Sequence, residues 1–313
     1  QSMSRLALMG CVGVIVGCFA WLMPTAWAAS SFSVAAFDGL RTFRTDEVPD
    51  GGGQSVLIEA ARGESESFQV VVTSQSNTTL SDLTVVLSGL PGEVETYAAG
   101  SVLIDKPGRT TDAVSGRYFD LLRPAGWESI SSGEYLPYWV DVHVPEEASP
   151  GLYEGQVTVS VGTESVSLPV SLRVWDFCLP KRPSLKLAFA FQRNWMEDYY
   201  GYVLSQAQIE AAQAVMLAHR LGPLPMWGSA GDDLNEPTRL KYCLEQGMNV
   251  FLLPVGGNEV TFREQMLRAA GVAADTYLFG YDEITASRPE QIPAMRQAYE
   301  AFHTHYPDIQ RIN

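Results

Sequence analysis

The sequence predicts a multidomain chain in which an antiparallel β-sandwich is followed by the first half of a (β/α)8 TIM barrel. Short strand-like runs fill the first part of the mature chain, and strand-like and helix-like segments alternate in the last part. The two parts meet at Pro180 and Pro183, which make the connection stiff. The predicted division is a signal peptide at 1–28, a β-sandwich domain at 29–177 and a partial barrel at 178–313.

The strand-like runs of the first part are short, rich in β-branched residues and bounded by turn residues. Several of them alternate polar and apolar side chains, as a half-solvated antiparallel sheet requires. Regular spacing without a helical stretch favours a sandwich. The runs lie at 67–72, 83–87, 139–144, 155–161 and 166–175.

The last part alternates between two periodicities. Apolar strand-like runs lie at 185–191, 224–227, 249–255 and 276–281, with a fifth starting near 309. Helical patterns lie at 206–221, 237–246, 259–270 and around 292–306. This order predicts a parallel sheet wrapped in helices.

About four such units are half of a barrel, which typically needs about 250 residues. The chain stops where a fifth strand would start and begins with Gln1, so we expect a fragment of a longer protein. A complete doubly wound sheet is the alternative, and the lack of a dinucleotide fingerprint disfavours it.

The first 28 residues have the pattern of an export signal. Arg5 is the basic start, residues 6–23 are nearly all apolar, and Ala26-Trp27-Ala28 fits the small-x-small cleavage pattern. No second long apolar run follows, so we expect an exported mature protein, periplasmic or extracellular. The residues around Cys18 resemble a lipoprotein cleavage box, so lipid attachment there is the alternative.

Composition and charge narrow the function classes. The chain has 313 residues, is 46% hydrophobic and carries a formal net charge of −15. An acidic protein is repelled by phosphate backbones, so nucleic acid is not an expected partner. The sequence has no CxxC or HExxH spacing and no phosphate loop, so we expect no metal and no organic cofactor. The mature chain keeps Cys178 and Cys243, which we expect to be buried free thiols.

The most informative segment is the run from Thr276 to Tyr281, which ends in Asp282 and Glu283. Burying unpaired carboxylates is costly, so two acids at the tip of a buried strand indicate a site. Sugar hydrolysis uses a carboxyl pair, one of which donates a proton to the leaving oxygen. The structural alternative is that Asp282 caps the next turn and Glu283 pairs with Arg288.

The ends of the other predicted strands should line the same pocket, because active sites of barrels lie at the carboxyl ends of their strands. The candidate substrate-binding residues are Asn194, Trp195, Trp227, Asn258 and Tyr281. For Tyr281, an inward core position is an equal alternative.

Three further segments resemble the bacterial glycoside hydrolase family 123 and its uncharacterised relatives. They are Gly63–Val70, Val144–Gly155 and Val174–Pro180, and Tyr281-Asp282-Glu283 carries the catalytic part of the resemblance. The resemblance implies a retaining enzyme that removes terminal β-linked N-acetylgalactosamine by substrate-assisted catalysis, an exception to the two-carboxylate rule. It implies Glu283 as general acid/base and Asp282 as the partner of the substrate acetamide N–H.

Other functions remain open on the residues alone. A non-catalytic carbohydrate-binding or cell-envelope protein of the same architecture is one alternative, and a glycosidase for another sugar is a second. The sequence leaves the sugar, the linkage and the oligomeric state undetermined. The expected partner is a glycan or glycoconjugate.

Overall fold

The computed structural model describes residues 30–75, 77–106, 108, 114–126, 128–224, 237–254, 260–272, 275–281, 284 and 288–311. The strands of its first part are β1 (Phe32–Asp38), β2 (Phe43–Arg44), β3 (Val56–Arg62), β4 (Ser65–Ser74), β5 (Leu83–Ser88), β6 (Glu93–Ile104), β7 (Gly116–Pro124), β8 (Tyr135–His143), β9 (Gly151–Val161) and β10 (Glu164–Cys178).

These strands form two sheets. One has six antiparallel strands in the order β1-β4-β8-β6-β7-β2, and the other has four in the order β3-β10-β9-β5. The pairing within these two sheets is antiparallel with one exception, because β3 and β10 pair in parallel. The predicted runs correspond to β4, β5, β8, β9 and β10, and the sequence patterns did not identify β1, β2, β3, β6 and β7. The parallel pairing of β3 with β10 joins residues about a hundred positions apart, and such pairing leaves no local signal.

The two sheets pack face to face on one hydrophobic core. On β4, Phe68 and Val70 point into it, and Val157 and Val170 meet them from the other sheet, all at most 2% exposed. Residue 69, between two core positions, faces outward. The side chains alternate between the two faces with the period of two that a strand requires, but residues 68–72 are all buried, so β4 is not half-solvated.

A strap formed by residues 38–44 crosses the outer face of the six-stranded sheet, from β1 at one edge to β2 at the other. Gln69 is buried beneath the strap. Its side-chain amide donates to the carbonyls of Asp38 (3.0 Å), Gly39 (3.2 Å) and Arg41 (2.7 Å). Phe43 at the end of the strap packs against Val71 and Tyr135. An outward-facing polar residue thus becomes an anchor because a loop covers it.

The second part alternates strands and helices. Its elements are β11 (Ala188–Ala190), α1 (Arg193–Tyr200), α2 (Gln206–Ala218), β12 (Gly222–Leu224), α3 (Pro237–Glu245), β13 (Phe251–Pro254), α4 (Val260–Ala269), β14 (Thr276–Phe279), a 3₁₀ turn (Pro289–Gln291), α5 (Ile292–His305) and β15 (Gln310–Arg311). Hydrogen bonds pair β11 with β12 and join β13, β14 and β15, all in parallel.

The described strands therefore form two parallel sheets, and a continuous half-barrel stays a prediction. The two sheets are neighbours, since a Cβ placed on Gly222 of β12 would lie 3.4 Å from the side chain of Val250. They also share one hydrophobic cluster, in which Leu224 of one sheet joins Leu253 and Leu278 of the other.

Three expectations are corrected by the structure. The predicted strands at 185–191 and 276–281 shorten to β11 and β14, and helix α1, which the sequence patterns did not identify, follows β11. Cys243 is buried, but Cys178 is exposed, and both thiols are free. The expectation of two buried thiols is wrong for Cys178 because the last four residues of β10 extend beyond the sandwich core.

The segment Gly63–Val70, which carries part of the family resemblance, has a structural explanation. Gly63 adopts φ +72°, and a Cβ there would lie 3.3 Å from the side chain of Glu146. The Glu64 carboxylate accepts a hydrogen bond of 2.6 Å from the backbone N–H of Ala61. Both residues shape the tight β3–β4 turn, so their presence is explained by the fold and does not indicate a function.

The linker from residue 179 to 187 is held by the second part of the chain. The buried amide of Asn249, just before β13, donates to the carbonyls of Pro183 (2.5 Å) and Leu185 (2.9 Å). Asp275, just before β14, forms ion pairs with Arg182 and, at 2.8 Å, with Lys186. The bonds of Asn249 satisfy two carbonyls of a segment that is neither strand nor helix, and the ion pairs hold its side chains.

A direct contact joins the sandwich to the second part. Arg220, just before β12, adopts φ +59° and donates from Nη2 to the carbonyl of Gly63 at 3.0 Å. Arg220, Asn249 and Asp275 all precede the strands that they flank. The sandwich therefore meets the second part at the amino-terminal ends of the parallel strands.

We expect Gly247→Ala to destabilise the protein more than Gly271→Ala. Both glycines follow a helix with positive φ, but a Cβ at Gly247 would lie 2.2 Å from the carbonyl oxygen of Lys181, whereas nothing lies within 4 Å at Gly271. The Gly271 variant should lose about 1–2 kcal/mol of unfolding free energy from the left-handed conformation alone. The Gly247 variant should lose at least about twice that, because the linker must also shift. Urea midpoints at unchanged slope measure both values, and equal losses would contradict the close contact.

Candidate active site

The described part of the candidate site lies just past the end of β14. The strand ends at Phe279, two residues earlier than the sequence predicts. Tyr281 then adopts φ +56°, in the left-handed region. For a residue with a Cβ this conformation costs about 1–2 kcal/mol. It persists only where the surroundings hold it, and such residues concentrate at functional sites.

Two tyrosines hold this turn. Tyr299 of α5 is 8% exposed, and its hydroxyl donates to the carbonyl of Gly280 at 2.9 Å. The rings of Tyr281 and Tyr299 meet edge to face, with centroids 6.1 Å apart. Burial raises the pKa of Tyr299, so its hydroxyl stays a proton donor to the carbonyl at neutral pH. The turn is therefore tied to α5 by a hydrogen bond and by ring packing.

The strand ends before the two predicted acids. Within a strand, neighbouring side chains point to opposite faces, so adjacent carboxylates could not act on one group. β14 ends at Phe279, three residues before position 282. Asp282 and Glu283 themselves lie outside the described residues, as do Trp227 and Asn258.

The other predicted contact residues come from a different sheet. Asn194 and Trp195 lie in the first turn of α1, directly after β11, and both are exposed. Tyr281 is half-buried and packs against the hydrophobic cluster of the second part. Asn194 and Trp195 on one sheet and Tyr281 on the other follow the carboxyl ends of parallel strands, as predicted. The contact between Arg220 and the sandwich lies at the opposite, amino-terminal end.

Sequence reasoning missed an ordered network beside α1. Glu197 accepts a hydrogen bond of 2.8 Å from Arg193 and one of 3.0 Å from the backbone N–H of Leu204. The two bonds hold the pKa of the Glu197 carboxyl below its usual range, and the bond from Arg193 has the larger effect. The network fixes the loop between α1 and α2. The i,i+4 spacing of Arg193 and Glu197 is the signal that could have indicated it.

An exposed aromatic cluster at the end of α1 was also missed. Tyr199, Tyr200 and Tyr202 are between 50% and 85% exposed. Their rings form a series, with centroids 5.2 Å apart for the first pair and 5.8 Å for the second. The Tyr202 hydroxyl accepts from the amide of Gln208 at 3.3 Å. The run of tyrosines in the sequence was the available signal.

The described residues contain neither a metal-binding cluster nor a membrane-spanning helix. No group of three or more His, Cys, Asp or Glu in that part of the chain is arranged to hold a metal ion. No helix among these residues is long and apolar enough to cross a membrane.

Comparison with solved structures finds one informative likeness. The chain is similar to a family 123 glycoside hydrolase from Clostridium perfringens, with a TM-score of 0.51 and 13% identity. The match covers 72% of this chain and 38% of that one, so the chain spans well under half of that enzyme's length. At this identity the likeness shows the fold alone.

Other similarities are weaker. A PapD-like domain of human CEP192 matches 55% of this chain and 98% of its own length, with a TM-score of 0.25 and 13% identity. The CooA pilin subunit of enterotoxigenic Escherichia coli matches 47% of this chain and 99% of its own length, with a TM-score of 0.26 and 13% identity. Neither score indicates a shared fold. No sequence-family description and no curated protein sequence matches the chain.

We expect Tyr299→Phe to cost about 1 kcal/mol of unfolding free energy, because it removes the hydrogen bond to the half-buried turn at Gly280. Tyr306→Phe is the matched control. Tyr306 directly follows α5, packs on the same cluster, and makes no side-chain hydrogen bond with the described residues. Thermal unfolding of both variants measures the difference, and equal losses would show that the hydroxyl does not hold the turn.

Proposed function

We propose that the chain is part of an exported glycoside hydrolase that removes terminal β-linked N-acetylgalactosamine with retention of configuration. The observation that carries the proposal is the strained turn at Tyr281, directly before two adjacent carboxylates and past the end of a parallel strand. Strain of this kind is maintained where geometry matters to function. The fold likeness to a family 123 glycoside hydrolase adds support.

In the proposed reaction the carbonyl oxygen of the substrate 2-acetamido group attacks the anomeric carbon, and the glycosidic carbon–oxygen bond breaks. Glu283 gives its proton to the leaving oxygen. The Glu283 carboxylate then takes a proton from the water that opens the resulting oxazoline. Asp282 accepts a hydrogen bond from the acetamide N–H and stabilises the positive charge that develops there. Repulsion between adjacent carboxylates favours the protonated form of one of them.

The remaining candidates are proposed as walls of the pocket. Tyr281 would contact the acetamide group, and Asn194, Trp195, Trp227 and Asn258 would contact the sugar ring or its leaving group. All five follow the carboxyl ends of predicted strands, where barrel active sites are built. No cofactor enters the reaction, since each step moves a proton or an electron pair between substrate, water and carboxylate.

The same proposal covers architecture and location. Residues 178–313 would form the first half of a TIM barrel, and the sandwich at 29–177 would support the barrel at the amino-terminal ends of its strands. Residues 1–28, which lie outside the described residues, would direct export to the periplasm or the exterior. Lipid attachment at Cys18 is the alternative route to the cell envelope.

The test is hydrolysis of p-nitrophenyl β-N-acetylgalactosaminide and of the matching β-galactoside by the complete protein. We expect turnover of the acetamido sugar alone, because only it carries the internal nucleophile. Glu283→Gln should reduce kcat by about 10²- to 10⁴-fold. Asp282→Asn should also reduce it, since an amide stabilises the developing positive charge less well.

Glu290→Gln is the control, because Glu290 is an exposed carboxylate in the next turn of the chain. Its kcat should stay at the wild-type value. Turnover of both sugars would remove the role given to Asp282, and full activity of Glu283→Gln would overturn the catalytic assignment.

A non-catalytic binding protein is the second candidate, and one observation favours it. A groove of about 690 Å³ opens beside the strap on the outer face of the six-stranded sheet, with Trp139, Tyr118 and Phe119 in its lining. Aromatic faces suit the apolar faces of sugars. Folded protein without turnover, with glycan retention that Trp139→Ala abolishes, would favour this candidate.

A further inference from the structure

Arg239 of α3 is a buried cation with an incomplete set of partners. Only 8% of the surface of Arg239 is exposed. The side-chain Nε donates to Oε1 of Gln213 on α2 at 2.6 Å. The guanidinium carbon lies 4.5 Å from the ring centroid of Tyr242, in cation–π geometry. These two contacts fix the plane of the guanidinium group.

One further donor of Arg239 is not satisfied. Its Nη2 is buried and makes no hydrogen bond. Among the described residues, Arg239 is in no ion pair, whereas the exposed Arg268 is paired with both Glu264 and Asp308. Burying a guanidinium without a counter-charge costs several kcal/mol, so the arrangement calls for an anion.

Arg239 lines a groove of about 700 Å³ between α2 and α3. On α2 its wall includes Ala211 and Ala214, whose small side chains leave room beside the guanidinium. On α3 it includes Thr238, in the first turn of the helix, where backbone N–H groups lack helical partners. The groove therefore joins a buried cation to the amino-terminal end of a helix of nine residues, which also favours negative charge.

We propose that this groove binds one oxyanion, a carboxylate or a sulfate group, through Arg239. The planar fork of a guanidinium matches the oxygens of either group. Glu210 also lines the groove, and Gln206 donates to its carboxylate at 3.3 Å. That negative charge, and the net charge of −15, disfavour a polyanion. The site is separate from the proposed hydrolysis and does not depend on it.

Thermal unfolding of the complete protein in sodium acetate, sodium sulfate or sodium galacturonate tests the site, with sodium chloride at equal ionic strength as reference. We expect the midpoint to rise by about 2 °C or more over chloride in at least one of the three salts. Sulfate stabilises proteins generally, so only the part of the shift lost on substitution counts. Arg239→Met should lose it, and Lys241→Met, an exposed cation on the same helix, should keep it.

Gln213→Glu tests the same site without removing the arginine. A carboxylate at this position would face Nε of Arg239 and supply the missing charge internally. We expect a higher midpoint in chloride than wild type and no further shift with the added anions. This variant also serves if Arg239→Met fails to fold.

The three anions distinguish the source of the ligand. We compare the salt concentrations that give half of the maximal midpoint shift. If this concentration is about tenfold lower for galacturonate than for acetate, the ligand is a carboxylate carried by a sugar. If the two concentrations are equal, the ligand is a small free carboxylate. An effect of sulfate alone that Arg239→Met abolishes would assign a sulfate group. No shift beyond chloride in the wild type, or an undiminished shift in both Arg239→Met and Gln213→Glu, would overturn the proposal.

Discussion

Every element after residue 187 is placed by a short linker, and the buried side-chain amide of Asn249 holds that linker. Its two hydrogen bonds satisfy carbonyls at Pro183 and Leu185 that no strand or helix would satisfy. The ion pairs of Asp275 secure the same segment from the next strand. Without these bonds the two proline residues would make the linker stiff but would leave its direction unspecified.

This constraint acts at the amino-terminal ends of the parallel strands, whereas the proposed site lies at their carboxyl ends. Arg220 reaches across to Gly63 of the sandwich from just before β12. Tyr281 lies past the opposite end of β14, where Tyr299 holds the strained turn. Parallel sheets commonly divide in this way, with stability at the amino-terminal face and function at the carboxyl-terminal face.

Buried polar side chains mark the important positions in both parts. Gln69 anchors the strap of the sandwich, and Asn249 anchors the linker. In both cases an amide side chain satisfies backbone carbonyls in a segment that crosses a surface, so the buried group stabilises the structure. Arg239 differs, because it combines a buried unsatisfied donor with the lack of an ion pair among the described residues. Arg44 and Arg62 also have a buried unsatisfied Nε, but each of them forms an ion pair.

Local residue patterns were enough to predict the strand-rich first part, the alternating strands and helices of the second part, the alternation of β10, and a pair of acids after a buried strand. These features follow from local periodicity and from the cost of burying charge. The parallel pairing of β3 with β10, the early end of β14, the left-handed conformation of Tyr281 and the burial of Arg239 became evident only from the folded chain. Each of these depends on contacts between residues far apart in the chain, and such contacts have no signature in a local pattern of residue types.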